Sequence, residues 1–163
     1  MPANCIIMVH YENDYKWGRE QENKCFPIVA EFFGRNIVQS VSQYDKWDGR
    51  CSVANYELKS RHIASDTHES CMISFNKCGQ EEGKQTILLF NYTDGLYYVE
   101  YNDDIFNNSK NEIFCRDDIA GAEKMTLYIP RRFLQVIKMW PKEKPAIFKH
   151  LQARRCLIDV SAM

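Results

Sequence analysis

Apolar residues recur at helical spacing early in the chain: Phe26, Val29 and Phe33 share one stripe with Glu22, and Gly34 supplies a stop. A helix is therefore expected over residues 14–34. Pro27 falls inside it and is expected to kink it or mark a restart. Residues 37–43 alternate apolar and polar as a strand does, and the turn-rich 44–49 leads to a second strand over 51–61. Residues 68–78 read as a short helix that Gly79 and Gly83 break. The clearest hairpin pairs 86–92 with 96–102 through Thr93-Asp94-Gly95. Residues 125–129 form a late strand, and Pro130, suited to a first helical position, opens a helix through about Met139. The pattern predicts a mixed α/β (α+β) fold, a central mixed β-sheet flanked by helices.

Composition agrees with one folded core. The chain has 163 residues, 45% hydrophobic, with 9 Tyr, 9 Phe and 3 Trp, which is too apolar and aromatic for disorder. Its net charge of −1 gives no bulk signal of an anionic partner, but the average hides an asymmetry. From Arg131 onward eight basic residues (Arg131, Arg132, Lys138, Lys142, Lys144, Lys149, Arg154, Arg155) face only Glu143 and Asp159. The division expected is an α/β domain over 1–141 and a basic segment, helix or tail, over 142–163. The basic segment suits an anionic partner, and equally a solvated tail. Seven cysteines, an odd number without a CxxC pair, read as reduced thiols, several of them in the core. The apolar run at Cys5-Ile6-Ile7-Met8-Val9 is too short and too poorly flanked for a signal peptide or membrane span, so an intracellular protein without a membrane partner is expected.

The stretch Trp47-Asp48-Gly49-Arg50-Cys51-Ser52-Val53-Ala54-Asn55-Tyr56-Glu57-Leu58-Lys59-Ser60-Arg61 carries the chemistry. Residues two apart on a strand share a face, so Glu57 and Lys59 project together while Tyr56, Leu58 and Ser60 project the other way. Asp48, nine residues before Glu57, can be brought beside it by a turn and a short strand. Two carboxylates so placed repel and raise each other's pKa unless a cation sits between them, and a hard ion such as Mg²⁺ is the usual resolution. Each feature also has a plainer reading. Asp45, Asp48 and Gly49 are ordinary turn residues, and Glu57 with Lys59 fits an exposed charge pair. No P-loop, dinucleotide fingerprint or HExxH is present.

Asp48, then Glu57-Leu58-Lys59, resembles the signature of the PD-(D/E)XK, or restriction-endonuclease-like, nuclease superfamily, with Trp47 where the pattern's name has Pro. The Tyr44-Asp45-Lys46-Trp47-Asp48 and Tyr56-Glu57-Leu58-Lys59-Ser60-Arg61 strings are similar to those of small nuclease-like proteins of large DNA viruses and phages. The resemblance spans roughly 14–102. It implies a metal-dependent nuclease acting on DNA, with RNA not excluded, in recombination, repair, genome processing or host-DNA degradation. Asp48 and Glu57 would hold Mg²⁺ or Mn²⁺, the Leu58 carbonyl would be available to it, and Lys59 would orient water or offset charge on the phosphate. It also implies a further acidic ligand from the preceding helix, Glu22, with Glu20 as the more solvent-facing alternative. Arg61, Lys77, Arg131 and Arg132 are candidates for nucleic-acid contacts. His62 and His68 flank the following loop, and Tyr97, Tyr98 and Tyr101 read as sheet residues. A homodimer would gather two basic segments around one duplex. The competing expectation is a catalytically inactive nuclease-like module that binds nucleic acid or serves a structural role.

Overall fold

A single long helix supplies the first layer. The computed structural model describes residues 3–115 and 123–142, with side chains over 12–114 and 123–142. Helix α1 (Ala3–Phe33) runs through Pro27 without interruption. The exposed proline ring lies off the buried stripe, where Cys25, Phe26 and Val29 pack onto a sheet, and this packing outweighs the roughly 3 kcal/mol that an interior proline costs. The helix ends as the sequence anticipates: Gly34 takes φ +61°, and the Arg35 N–H donates to the Ala30 carbonyl at 3.0 Å, a Schellman closure.

The main sheet follows from the chain's next strands. Strands β1 (Val38–Gln39), β2 (Gly49–Arg50) and β3 (Ala54–Ser60) form an antiparallel meander. Strand β4 (Ser70–Ser74) and a 3₁₀ turn (Phe75–Lys77) then cross to β5 (Gln85–Asn91), which lies parallel to β3. Strand β6 (Gly95–Glu100) closes the expected hairpin with β5. After a short helix α2 (Asp103–Asn107) come β7 (Lys110–Cys115), β8 (Glu123–Pro130), a 3₁₀ turn (Arg131–Phe133) and β9 (Gln135–Met139). One sheet has the order β1-β2-β3-β5-β6-β9, and a second has the order β4-β8-β7.

Two cores lie on opposite faces of the larger sheet. Under α1, Tyr56, Leu58, Ile87, Leu89 and Leu96 meet Cys25, Phe26 and Val29. On the other face, Leu88, Phe90 and Val99 meet Cys71, Ile73, Leu127 and Ile129 of the smaller sheet. The molecule is thus a mixed α+β domain layered as helix, sheet, sheet. Cys25, Cys51, Cys71 and Cys78 are free thiols, two of them buried. No helix among the described residues is long and apolar enough to cross a membrane.

Three expectations are corrected. The helix expected over 68–78 is β4 followed by a 3₁₀ turn. Cys71 and Ile73, two apart, are both buried, and β8 offers them Ile129 and Leu127 as partners in register. The helix expected after Pro130 is a 3₁₀ turn leading into β9, whose Gln135-Val136-Ile137-Lys138-Met139 pairs with the edge of β6. Proline fits the end of a strand as well as the start of a helix. The strand expected over 37–43 shrinks to Val38–Gln39, because β2 offers only two residues to pair with. The basic segment expected over 142–163 lies outside the described residues except for Lys142.

Candidate active site

The site is built where β2 and β3 part. Their ladder covers Gly49↔Tyr56 and Arg50↔Asn55, after which the Asp48 N–H still donates to the Tyr56 carbonyl at 3.0 Å. One step further along β3, the Leu58 N–H finds no backbone partner on this edge and donates instead to Asp48 Oδ2 at 2.8 Å. The N–H and C=O of one strand residue project to the same side, so the Leu58 carbonyl faces the same gap.

Gly49 holds Asp48 there by close approach rather than by turn conformation. A Cβ at this position would lie 2.6 Å from Phe26 Cε1 and 2.9 Å from its Cζ, so only glycine lets α1 settle onto β2. The Ser40 N–H, donating to the Asp48 carbonyl at 2.8 Å, secures the other side of the residue. Asp45 is exposed and its N–H is spent on Ser42, so it does not compete for the position.

Glu57 is only 2% exposed and faces away from α1. Lys59, on the same face of β3 as expected, brings its amine to 2.6 Å from Glu57 Oε1. A second amine comes from the 3₁₀ turn after β4: Lys77 Nζ lies 2.9 Å from Glu57 Oε2, outside hydrogen-bonding geometry, leaving that oxygen buried without a hydrogen bond. Lys77 also donates to the carbonyl of Lys46. Buried Trp47 donates its indole N–H to Glu81 at 2.8 Å, and Lys46 pairs with the same carboxylate. Burial pushes the Asp48 carboxyl up to about 7, and the negative charge of Glu57 pushes in the same direction against the Leu58 N–H.

The remaining sequence candidates are distributed unequally. Glu22 on α1 is near enough to disfavour the charge on Asp48, yet it pairs with Arg19 at 2.5 Å and accepts from Gln39 at 3.4 Å. Arg19 in turn donates to the Ser40 and Val41 carbonyls, tying α1 to the loop before Asp48. Among the described residues no three His, Cys, Asp or Glu side chains converge closely enough to hold a metal together. Glu22 is therefore not brought into one ligand cluster with Asp48 and Glu57, because its carboxylate is committed to the guanidinium. Glu20 is exposed.

Arg61 follows β3 and is half-buried, with no carboxylate in salt-bridge range among the described residues. His62 stacks on Trp17, ring centroids 3.9 Å apart, and His68 is exposed. Arg131 and Arg132 lie elsewhere, around a hollow of about 630 Å³ that also includes Lys110 and Asn108. Arg131 donates to the Asp66 carbonyl and Arg132 to Asn108, each at 3.1 Å. Tyr97 donates to Asp94 and Tyr98 to Gln135, both as sheet residues.

Sequence reasoning missed the contact that Lys77 makes with Glu57. Expected on a helix as a candidate for phosphate contacts, it lies on a 3₁₀ turn and stands against Glu57, because the crossover is extended and drops that turn over the sheet. Nothing local in Phe75-Asn76-Lys77 announces that contact. Comparison of the chain with protein-family models, with curated proteins and with solved structures gives no match, so the functional reading rests on this arrangement of its own residues.

Proposed function

We propose that the chain is a metal-dependent nuclease that hydrolyses phosphodiester bonds of DNA, with Asp48, Glu57 and Lys59 at its centre. The observation that carries this reading is the Asp48 and Glu57 pair: two carboxylates within electrostatic reach, one of them almost wholly buried and the other pushed up to about 7. A buried pair of this kind is costly unless charge offsets it. The donors are hard oxygens, Asp48, Glu57, whose buried Oε2 accepts no hydrogen bond and faces only the Lys77 amine that an ion would displace, and the Leu58 carbonyl on the same edge, and they fit Mg²⁺ or Mn²⁺. Mg²⁺ commonly takes one or two carboxylates and fills the rest of its shell with water and substrate phosphate, so Glu22 is not required. When bound, such an ion supplies Lewis acidity at the phosphate and a more acidic water.

The chain's own residues supply the remainder. Lys59, whose side chain is 29% exposed, can orient the attacking water or offset charge developing on the phosphate. Lys77 places a second amine against Glu57, 2.9 Å from its Oε2. The order of helix, three antiparallel strands, crossover and parallel strand supports the restriction-endonuclease-like reading. The crossover, carrying a strand and a 3₁₀ turn in place of a helix, is a departure from it. The inactive, nucleic-acid-binding reading is favoured by one observation, the engagement of Glu22 with Arg19 rather than with the two carboxylates.

The test is incubation of the full chain with linear, circular and branched DNA in Mg²⁺ or Mn²⁺, beside Asp48→Asn, Glu57→Gln and Lys59→Met. Cleavage is expected to require the divalent ion and to fall by about 10³-fold in each carboxylate variant, several kcal/mol of transition-state stabilisation. Cleavage that persists in all three variants overturns the site. Absence of cleavage on every DNA, with binding retained, transfers the assignment to the inactive module.

A further inference from the structure

Two hollows meet at the far end of β3. The larger, about 700 Å³, includes Trp17, Lys24, Arg61, His62, Trp140 and Lys142 around its walls. The smaller, about 380 Å³, runs past Glu22 to Lys59, and the two share Trp17, Arg61 and His62. Lys59, whose amine lies 2.6 Å from Glu57, lines the smaller hollow, so that hollow reaches the immediate neighbour of the Glu57 carboxylate, although neither Asp48 nor Glu57 lines it. Both volumes fall in the range of small-molecule sites.

The aromatic end is held in place. Trp17 and His62 stack at an interplanar angle of 27°. The Trp140 indole N–H donates to Asn91 Oδ1 at 3.1 Å and to the Tyr92 carbonyl at 3.0 Å, and Lys24 Nζ sits 4.0 Å from the ring centroid. Asn91 is 4% exposed and is fixed in turn by its own bonds to Gln21 and Ser60. The basic groups nearby are Arg61, Lys24 and Lys142. The acidic residue of the larger hollow, Asp94, is already engaged by the Ser65 N–H and hydroxyl and by the Tyr97 hydroxyl. In the smaller hollow Glu22 is paired with Arg19, which leaves Asp14 at the exposed rim.

Fixed aromatic faces next to a half-buried guanidinium that has no carboxylate in salt-bridge range among the described residues are the chemistry that captures an unstacked base and its phosphate. The interior bases of a duplex cannot use it, because both of their faces are already stacked on neighbouring pairs. We infer that this cleft is a subsite for an unpaired nucleotide of the substrate strand, its base extending the Trp17–His62 stack and its phosphate against Arg61. The inference deepens the nuclease reading and rests on it for the link to cleavage: it makes the substrate DNA with a single-stranded end or flap, threaded toward Lys59 and Glu57.

The experiment is fluorescence anisotropy of the full chain with a labelled oligothymidylate of about twelve nucleotides, against a blunt duplex of the same length, in EDTA so that no cleavage intervenes. The single strand is expected to bind at least about tenfold more tightly than the duplex, and Trp17→Ala to weaken it about tenfold. Trp17→Phe, which keeps a stacking face, is expected to bind nearly as wild type does. Arg61→Gln is expected to reduce the slope of log affinity against log salt by about 0.7. Far-UV circular dichroism checks that each variant is folded. Equal affinity for duplex and single strand, or a folded Trp17→Ala that binds as wild type does, overturns the subsite. Single-strand preference without cleavage of any DNA overturns the nuclease reading and leaves the subsite standing; cleavage without that preference does the reverse.

Discussion

Tyr56 and Leu58 on one face of β3 and Glu57 on the other are buried to similar depth, 0%, 7% and 2% exposed, but they are held by different forces. The first two sit under α1 among Phe26, Val29 and Leu89, where burial itself is the stabilising term. Glu57 is held by the Lys59 and Lys77 amines and has one oxygen with no hydrogen bond. One strand therefore carries a self-sufficient apolar face and a face whose charge must be offset by neighbours. The comparison breaks most sharply at Tyr56. Tyr56→Ala is expected to cost about 3–5 kcal/mol by deleting a fully buried ring and leaving the Arg35 guanidinium without its hydroxyl partner at 3.1 Å. Urea unfolding measures it; a loss below about 1 kcal/mol would mean that α1 does not depend on this face.

A smaller effect sharpens the ionic side. Lys77→Met removes the amine facing Glu57 Oε2 and is expected to destabilise by about 1–3 kcal/mol, the cost of leaving a buried charged group less well satisfied. Glu57→Gln combined with Lys77→Met is expected to recover much of that loss, because the charge that needed the amine is gone. The double-mutant cycle in urea should therefore show coupling above about 0.5 kcal/mol. Additive losses would mean that Lys77 stabilises the 3₁₀ turn through its bond to the Lys46 carbonyl, independently of Glu57.

The same contrast explains what was legible in the sequence. Glu57 and Lys59 sharing a face, the β5–β6 hairpin and the stop at Gly34 are all local, set by the two-residue strand period, a short turn and a residue that accepts positive φ. What failed depended on partners far along the chain. Cys71 and Ile73 become a strand because β8 lies beside them, and Val136 becomes part of an edge strand because β6 is there to pair with it. The contact of Lys77 with Glu57, beside its reading as a candidate for nucleic-acid contacts, emerges only when the crossover brings the two together. Glu22 was legible as a carboxylate on the stripe facing the sheet. Its engagement by Arg19, one turn earlier on the same helix, follows from i,i+3 spacing and was open to the same reading.

The smallest expected effect separates Asp48 from Glu57. Burial and the charge of Glu57 raise the Asp48 carboxyl from 3.8 to about 7, so between these values the folded chain holds a proton that the unfolded chain has released. Stability from this group is fully present below the unfolded value and falls as pH rises through about 7, the reverse of a carboxylate held by a cation. The loss across that window is of order 1–2 kcal/mol, because the carboxyl is partly reached by water. Urea unfolding of wild type and Asp48→Asn at a series of pH values reads it directly. The asparagine keeps an oxygen for the Leu58 N–H but cannot titrate, so its stability relative to wild type should rise across the same window. A constant difference at every pH would place Asp48 in an environment no more demanding than the surface, and would remove the electrostatic case for a divalent ion between it and Glu57.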